Sequence, residues 1–225
     1  MIELTHVHRR YGAVEVLRDI DLRIAERRVA VIGANGSGKS TFARLLNGLV
    51  LPSEGLVTVD GIDTRRQAAA VRRRVGFVFQ NPDHQIVFPV VEEDVAFGPK
   101  NQKLPKDEVA RRVDAILERT GLARLRDRPT HLLSGGEKQM LALAGVLVME
   151  PARLVLDEPL TLLDLRNRRR VAAFLDALAQ PLVMVTHDLD MIAGWDRVLV
   201  FDEGRVAMDA VPAEAVPFYR ELMSR

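Results

Sequence analysis

The chain has 225 residues, with 48% hydrophobic and 28% charged side chains. That is ordinary globular usage, and it excludes a disordered or fibrous chain. Lysine plus arginine (32) nearly cancel aspartate plus glutamate (31), leaving +1, too little basic excess for a broad nucleic-acid grip. The absence of cysteine excludes disulfides, thiolate metal sites and a cysteine nucleophile, and fits a reducing compartment.

In chain order, Ile2-Leu4, Val14-Val16 and Leu22-Ile24 read as short strands in an antiparallel arrangement. His6 and His8 alternate on the first of these; two histidines alone make a poor metal site and read as surface residues. Val29-Ala30-Val31-Ile32 is a continuous apolar run, expected for a strand buried on both faces. Val57-Thr58-Val59 ends in an Asp60-Gly61 turn. Val75–Phe79, Leu154–Leu156, Leu182–Val185 and Val198–Phe201 read as further buried strands. Helical patterns fall at roughly 40–48, 106–120, 137–149, 166–179 and 188–194. Strands alternating with helices predict an α/β core with a mostly parallel sheet, plus an N-terminal antiparallel β part. Residues 81–135 hold Pro82, Pro89 and Pro99 and few strand signals, so they are expected to form a helical lobe inserted into a core of 1–80 and 136–225. The arginine runs 72–74 and 168–170 read as solvated helix faces. The apolar stretch Leu141–Met149 is about half of the 20 residues that a membrane span needs, and the N-terminus lacks a secretory signal pattern.

The chemistry is concentrated in a few motifs. Gly33-Ala34-Asn35-Gly36-Ser37-Gly38-Lys39-Ser40 is a phosphate-binding loop set between a buried strand and a helix opening at Thr41. Its glycines let successive N–H groups form an anion nest, and the helix N-terminus adds unpaired donors. Lys39 suits the β- and γ-phosphates, and the Ser40 hydroxyl suits Mg²⁺. Asp157 and Glu158 end the apolar Leu154–Leu156 strand. The first is placed to hold Mg²⁺ and the second to polarise an attacking water, as phosphoryl transfer to water requires. A nucleoside triphosphatase follows. Leu133-Ser134-Gly135-Gly136-Glu137 then opens another helix and offers a second anion-binding end, which either converges on the same nucleotide or serves one shared with a second copy.

The ordered set of phosphate loop, Gln80, Leu-Ser-Gly-Gly-Glu, Leu-Asp-Glu-Pro and Thr186-His187-Asp188 resembles the ATPase subunit of an ATP-binding-cassette transporter, over residues 2 to about 210. The resemblance implies ATP and Mg²⁺ as cofactors. It implies that Tyr11 stacks on adenine and that Gln80 reaches Mg²⁺ and the attacking water. It implies that Ser134, Gly135 and Gly136 bind a γ-phosphate held by the opposite subunit, that Asp164 belongs to the dimer-contact loop, and that His187 is the switch histidine beside Glu158. Two such chains would sandwich two ATP molecules, so that binding closes the dimer and hydrolysis reopens it. Two departures stand out: Glu137 replaces the commoner glutamine, and Leu162-Leu163 occupies a loop where small residues are usual.

The stretch from Phe79 to Val87, with Val91–Gly98, is similar to the energy-coupling-factor group of importers, which take up vitamins such as biotin or ions such as cobalt and nickel. This implies a homodimer at the cytoplasmic face of the membrane, working with a membrane coupling protein and a membrane substrate-binding protein. Ile86-Val87-Phe88 and Val90-Val91 are the apolar pieces expected to receive a coupling helix. DNA-acting cassette ATPases carry long coiled coils between loop and signature; here Lys39 and Ser134 are 95 positions apart with no heptads. Ribosome-acting members usually fuse two cassettes, and this chain holds one. An exporter or lipoprotein-release ATPase is the nearest alternative.

Overall fold

The computed structural model describes residues 1–224. It contains, in chain order, β1 (Ile2–Tyr11), β2 (Val14–Ile24), β3 (Arg28–Gly33), α1 (Lys39–Leu46), β4 (Glu54–Val59), β5 (Ile62–Asp63), α2 (Ala68–Arg74) and β6 (Val75–Val78). Then come α3 (Val91–Asn101), α4 (Lys106–Thr120), α5 (Gly135–Leu147), β7 (Arg153–Asp157), α6 (Leu165–Asp176), β8 (Leu182–Val185), β9 (Arg197–Asp202), β10 (Arg205–Ala210) and α7 (Pro212–Leu222). The chain divides into two compact units: 1–77, 152–158 and 180–225 form the first, and 78–151 with 159–179 form the second.

The first unit carries the sheets. Strands β3, β7, β8 and β9 pair in parallel, and antiparallel β10 covers the edge, giving the order β10-β9-β3-β8-β7-β6. Every residue of β3 and β8 is buried, as a central parallel strand covered on both faces requires. A separate antiparallel sheet, β2-β1-β4-β5, is built on the long β1–β2 hairpin, whose register shifts three times. The three short strands expected in this region are therefore two long bulged ones. The β4–β5 and β9–β10 turns use Asp60-Gly61 and Glu203-Gly204, all at positive φ, which matches the twist of a two-residue hairpin.

The second unit is helical. Helix α4 buries Val109, Val113, Ile116 and Leu117 and ends at Gly121 in the left-handed conformation, a common helix stop. Helix α5 is apolar almost all round and forms the centre of this unit, touching α3, α4 and α6. The unit extends beyond 81–135 to take in α5 and α6.

Two further expectations need correction. Residues 188–194 are not a helix but a series of turns, held by Met191 N–H to Asp188 Oδ1 (3.2 Å) and Trp195 N–H to Ile192 O (3.0 Å). Buried Ile192 and Trp195 anchor the segment. Arg170 is not simply solvated: its guanidinium donates to the Thr120 carbonyl at 2.9 Å. Elements α2, β10 and α7 were not foreseen as such.

Candidate functional site

Strand β3 runs into the phosphate loop and α1 leaves it, so the loop is fixed at both ends. Gly38 caps α1 at φ 99°, a backbone region that strains any residue with a Cβ, and a Cβ there would lie 2.8 Å from the Val16 carbonyl. Gly36 is also at positive φ, and Gly36 and Asn35 are exposed at the tip of the loop. The Ser37 hydroxyl is buried without a hydrogen-bond partner in the loop. Lys39 is 5% exposed; its ammonium donates to the carbonyls of Gly33 (2.9 Å) and Ala34 (2.7 Å), leaving one of its three N–H donors for an anion. Burial pushes its pKa down, against the opposing pull of Glu158 and Asp157. A bound phosphate would relieve that penalty by supplying negative charge.

Opposite the loop, β7 delivers two carboxylates. Asp157 is 2% exposed and accepts the Ser40 hydroxyl at 2.8 Å. Desolvation raises its pKa despite that hydrogen bond and the Arg44 guanidinium 3.6 Å away. A buried carboxylate beside a hydroxyl is a pair of hard oxygen donors, the kind Mg²⁺ takes together with phosphate and water. Glu158 follows at φ 50°, unusual for glutamate, with its N–H bonded to the Val185 carbonyl (3.0 Å). The backbone strain turns its side chain toward His187, whose Nε2 lies 3.1 Å from Glu158 Oε1. His187 follows Thr186, whose N–H is held by the Val31 carbonyl at 3.1 Å, so β8 and β3 together place the histidine. Lys39, Ser40, Asp157, Glu158 and His187 thus form one cluster, and Thr41 lies beside them in the first turn of α1. Tyr11 ends β1, half exposed, with the Arg9 guanidinium 4.2 Å from its ring centroid.

The second unit carries the other motif residues. Ser134 caps α5 in a reciprocal box: Glu137 Oε2 accepts from the Ser134 N–H (2.8 Å) and hydroxyl (2.7 Å), and the Glu137 N–H donates back to the hydroxyl at 3.4 Å. These hydrogen bonds hold the Glu137 carboxyl below its ordinary pKa. Gly135 is unobstructed, but a Cβ on Gly136 would fall 2.2 Å from Asn167 Oδ1. Asn167 is in turn fixed by Asp164, which accepts from its N–H (2.9 Å) and its side-chain amide (2.8 Å) while capping α6. Sequence reading missed Asn167, Arg44 and Arg9, whose roles come from contacts made in the fold. Gln80 follows β6 at the start of this unit.

A groove in the same unit, of about 290 Å³, is lined by Asp83, Ile86, Val87, Phe88, Thr130 and Lys138 among others. Its loop is rigidly held. The buried Asp94 carboxylate accepts from the N–H groups of Val87 (2.8 Å) and Phe88 (2.9 Å), and Gln85 donates to the Ala142 carbonyl of α5 (2.7 Å).

A phosphate loop on a parallel sheet, facing a buried aspartate and a glutamate–histidine pair, defines a P-loop ATPase. The ABC transporter family model matches residues 17–161, and the chain belongs to that family. Among its relatives are the biotin transport ATP-binding protein BioM of Rhizobium etli (49% identical, covering 94% of each chain) and the energy-coupling factor transporter ATP-binding protein EcfA1 of Symbiobacterium thermophilum (53% identical, covering 87% of this chain and 70% of that one). Among solved structures, cbiO1 from Clostridium perfringens, part of the ABC transporter complex cbiONQ, superposes with a TM-score of 0.85 at 37% identity, covering 99% of this chain and 93% of the other. The chain is an ATP-binding, ATP-hydrolysing ABC subunit of the energy-coupling-factor type. No helix among its described residues is long and apolar enough to cross a membrane.

Proposed function

We propose that this chain powers an energy-coupling-factor importer, working as a homodimer on the cytoplasmic face of the membrane with a coupling protein and a substrate-binding membrane protein. The cargo is a vitamin such as biotin, or a transition-metal ion such as cobalt or nickel. It is carried by the membrane partners and not by this chain.

The single observation that carries the reading is the catalytic cluster: Glu158 within 3.1 Å of His187, beside a phosphate loop whose lysine is largely desolvated. In the proposed reaction Lys39 and the loop N–H groups bind the β- and γ-phosphates, with the ribose and adenine extending toward Tyr11. Ser40 and Asp157, which share a hydrogen bond of 2.8 Å, would hold Mg²⁺. When bound, the ion offsets charge building on the transferring phosphoryl group. Glu158 orients and polarises the attacking water, and His187 holds the Glu158 carboxylate and contacts the γ-phosphate. Ser134, Gly135 and Gly136 of a second copy complete the γ-phosphate site, Glu137 fixes the helix end they sit on, and Asp164 fixes the loop facing the partner. Closure then follows from differential binding, since ATP contacts two chains only in the closed pair.

The groove supports the membrane partnership. Ile86, Val87 and Phe88 give an apolar floor; Val87 is 67% exposed, and the Asp83–Lys138 ion pair (2.7 Å) marks its polar edge. This suits a short amphipathic helix. Detergent extraction of the native membrane with this chain as affinity bait tests the reading. Co-purification of a coupling protein and a small membrane binder is expected. Recovery of ribosomes or nucleic acid without membrane protein would overturn the transport role and leave the ATPase chemistry intact.

A further inference from the structure

The β1–β2 hairpin holds a cluster that takes no part in the nucleotide chemistry. His6 Nδ1 lies 3.0 Å from Asp19 Oδ1 and 3.1 Å from Asp21 Oδ2, and these three donor atoms all fall within 4.8 Å of one another. Donors around a zinc-like ion, at metal–ligand distances near 2.1 Å, stand about 3 to 3.5 Å apart. The two His6–carboxylate distances match that spacing. Hydrogen bonds within and beside the triad hold the ligands in place. The His6 N–H donates to Asp21 Oδ1 at 2.9 Å, fixing that carboxylate against the turn. His8, two residues on, has its Nδ1 3.0 Å from Glu15, which leaves its Nε2 directed to Asp19 at 3.9 Å. A histidine oriented through one nitrogen by a carboxylate, with the other nitrogen aimed at a donor cluster, is the usual arrangement of a metal ligand.

We propose that His6, Asp19 and Asp21, with His8 as fourth donor, form a binding site for a divalent transition-metal ion of the zinc, cobalt or nickel type. An imidazole with two carboxylates suits these borderline ions, and His8 raises the nitrogen share that separates them from magnesium and calcium. The register shifts of β1 create the geometry: Leu4 faces Leu22 and Val7 faces Ile20, so His6 falls in the irregular step between them. His6 and Asp19 both sit at positive φ (46° and 52°), a region that His, Asp and Asn tolerate better than other side chains. Substitution by asparagine therefore removes a strong ligand while keeping the backbone. The proposal stands independently of what the transporter carries.

The test uses the full chain, stripped with chelator and free of nucleotide, titrated with Zn²⁺, Co²⁺ or Ni²⁺ by calorimetry, with cobalt absorption as a second readout. The carboxylates raise the His6 pKa, so the titration is run on the alkaline side of neutrality, where protons compete less with the metal. One equivalent is expected to bind, with a rise in melting temperature. His6→Asn and Asp19→Asn should each weaken binding by about tenfold or more, with the metal-free melting temperature and MgATP turnover of His6→Asn close to those of the parent. Binding that is unaffected in both variants, or no saturable binding by the parent chain, would overturn the proposal.

Discussion

The two units present their phosphate-directed residues in opposite ways. In the first, functional side chains meet one another, Ser40 with Asp157 and Glu158 with His187, while Lys39 is held by the loop carbonyls. In the second, they are occupied by their own helix ends: Ser134 by Glu137, Asp164 by Asn167. A paired acid and base beside a cation does chemistry on what it binds, whereas a capped helix N-terminus offers backbone donors and a dipole. This contrast suits a reaction centre on one unit and a clamp on the other, supplied by different copies.

Predictions that break the contrast begin with the loop. Lys39→Ala should lower ATP affinity by about a hundredfold or more, the worth of a charge-assisted bond of about 3 kcal/mol, measured with a fluorescent nucleotide. Glu158→Gln should cut turnover by about 10³-fold while ATP still binds, since it removes the base and no phosphate donor. In the second unit, Gly136→Ala must displace Asn167 and should lower turnover about tenfold. Adding Asn167→Ala to that variant should recover part of the loss, a coupling of about 1 kcal/mol in a double-mutant cycle.

Smaller effects concern stability. The Asp157 carboxyl has a raised pKa in the folded chain, so its ionised form costs stability above the ordinary carboxylate range, and that cost disappears as the pH falls. Asp157→Asn should therefore melt higher than the parent at neutral pH without nucleotide, by about 1 kcal/mol, while losing Mg²⁺-dependent hydrolysis. Glu137 has the reverse sign. Its pKa is lowered, so its contribution is present above the ordinary glutamate value and is lost as the pH falls through the folded one. Glu137→Gln keeps the capping box, so the change should stay within about 0.5 kcal/mol and the acid limb of the stability profile should flatten.

Much of this was legible in the chain. Strands β3, β7, β8 and β9 announce themselves as apolar runs because both faces are covered, and the phosphate loop sits where a strand meets a helix. The edges were harder to read. Strand β10 alternates exposed and half-buried residues, a weak signal apart from its Glu203-Gly204 turn. Helix α7 contains Pro217, which argues against a helix on local grounds, although Pro212 at its first turn is a sound start signal. Composition showed His6 and His8 but not the carboxylates that β2 brings beside them, because a bulged register is set by pairing across strands. Likewise, nothing local told that Asn167 would press against Gly136.

The most direct test of the account is light scattering on purified Glu158→Gln chain with and without ATP. Two copies closing around shared nucleotide predict a monomer that becomes a dimer when ATP is added, and a Gly136→Ala substitution in the same chain should weaken that shift. A chain that binds ATP yet stays monomeric at every concentration would contradict the shared site and leave the first unit to work alone.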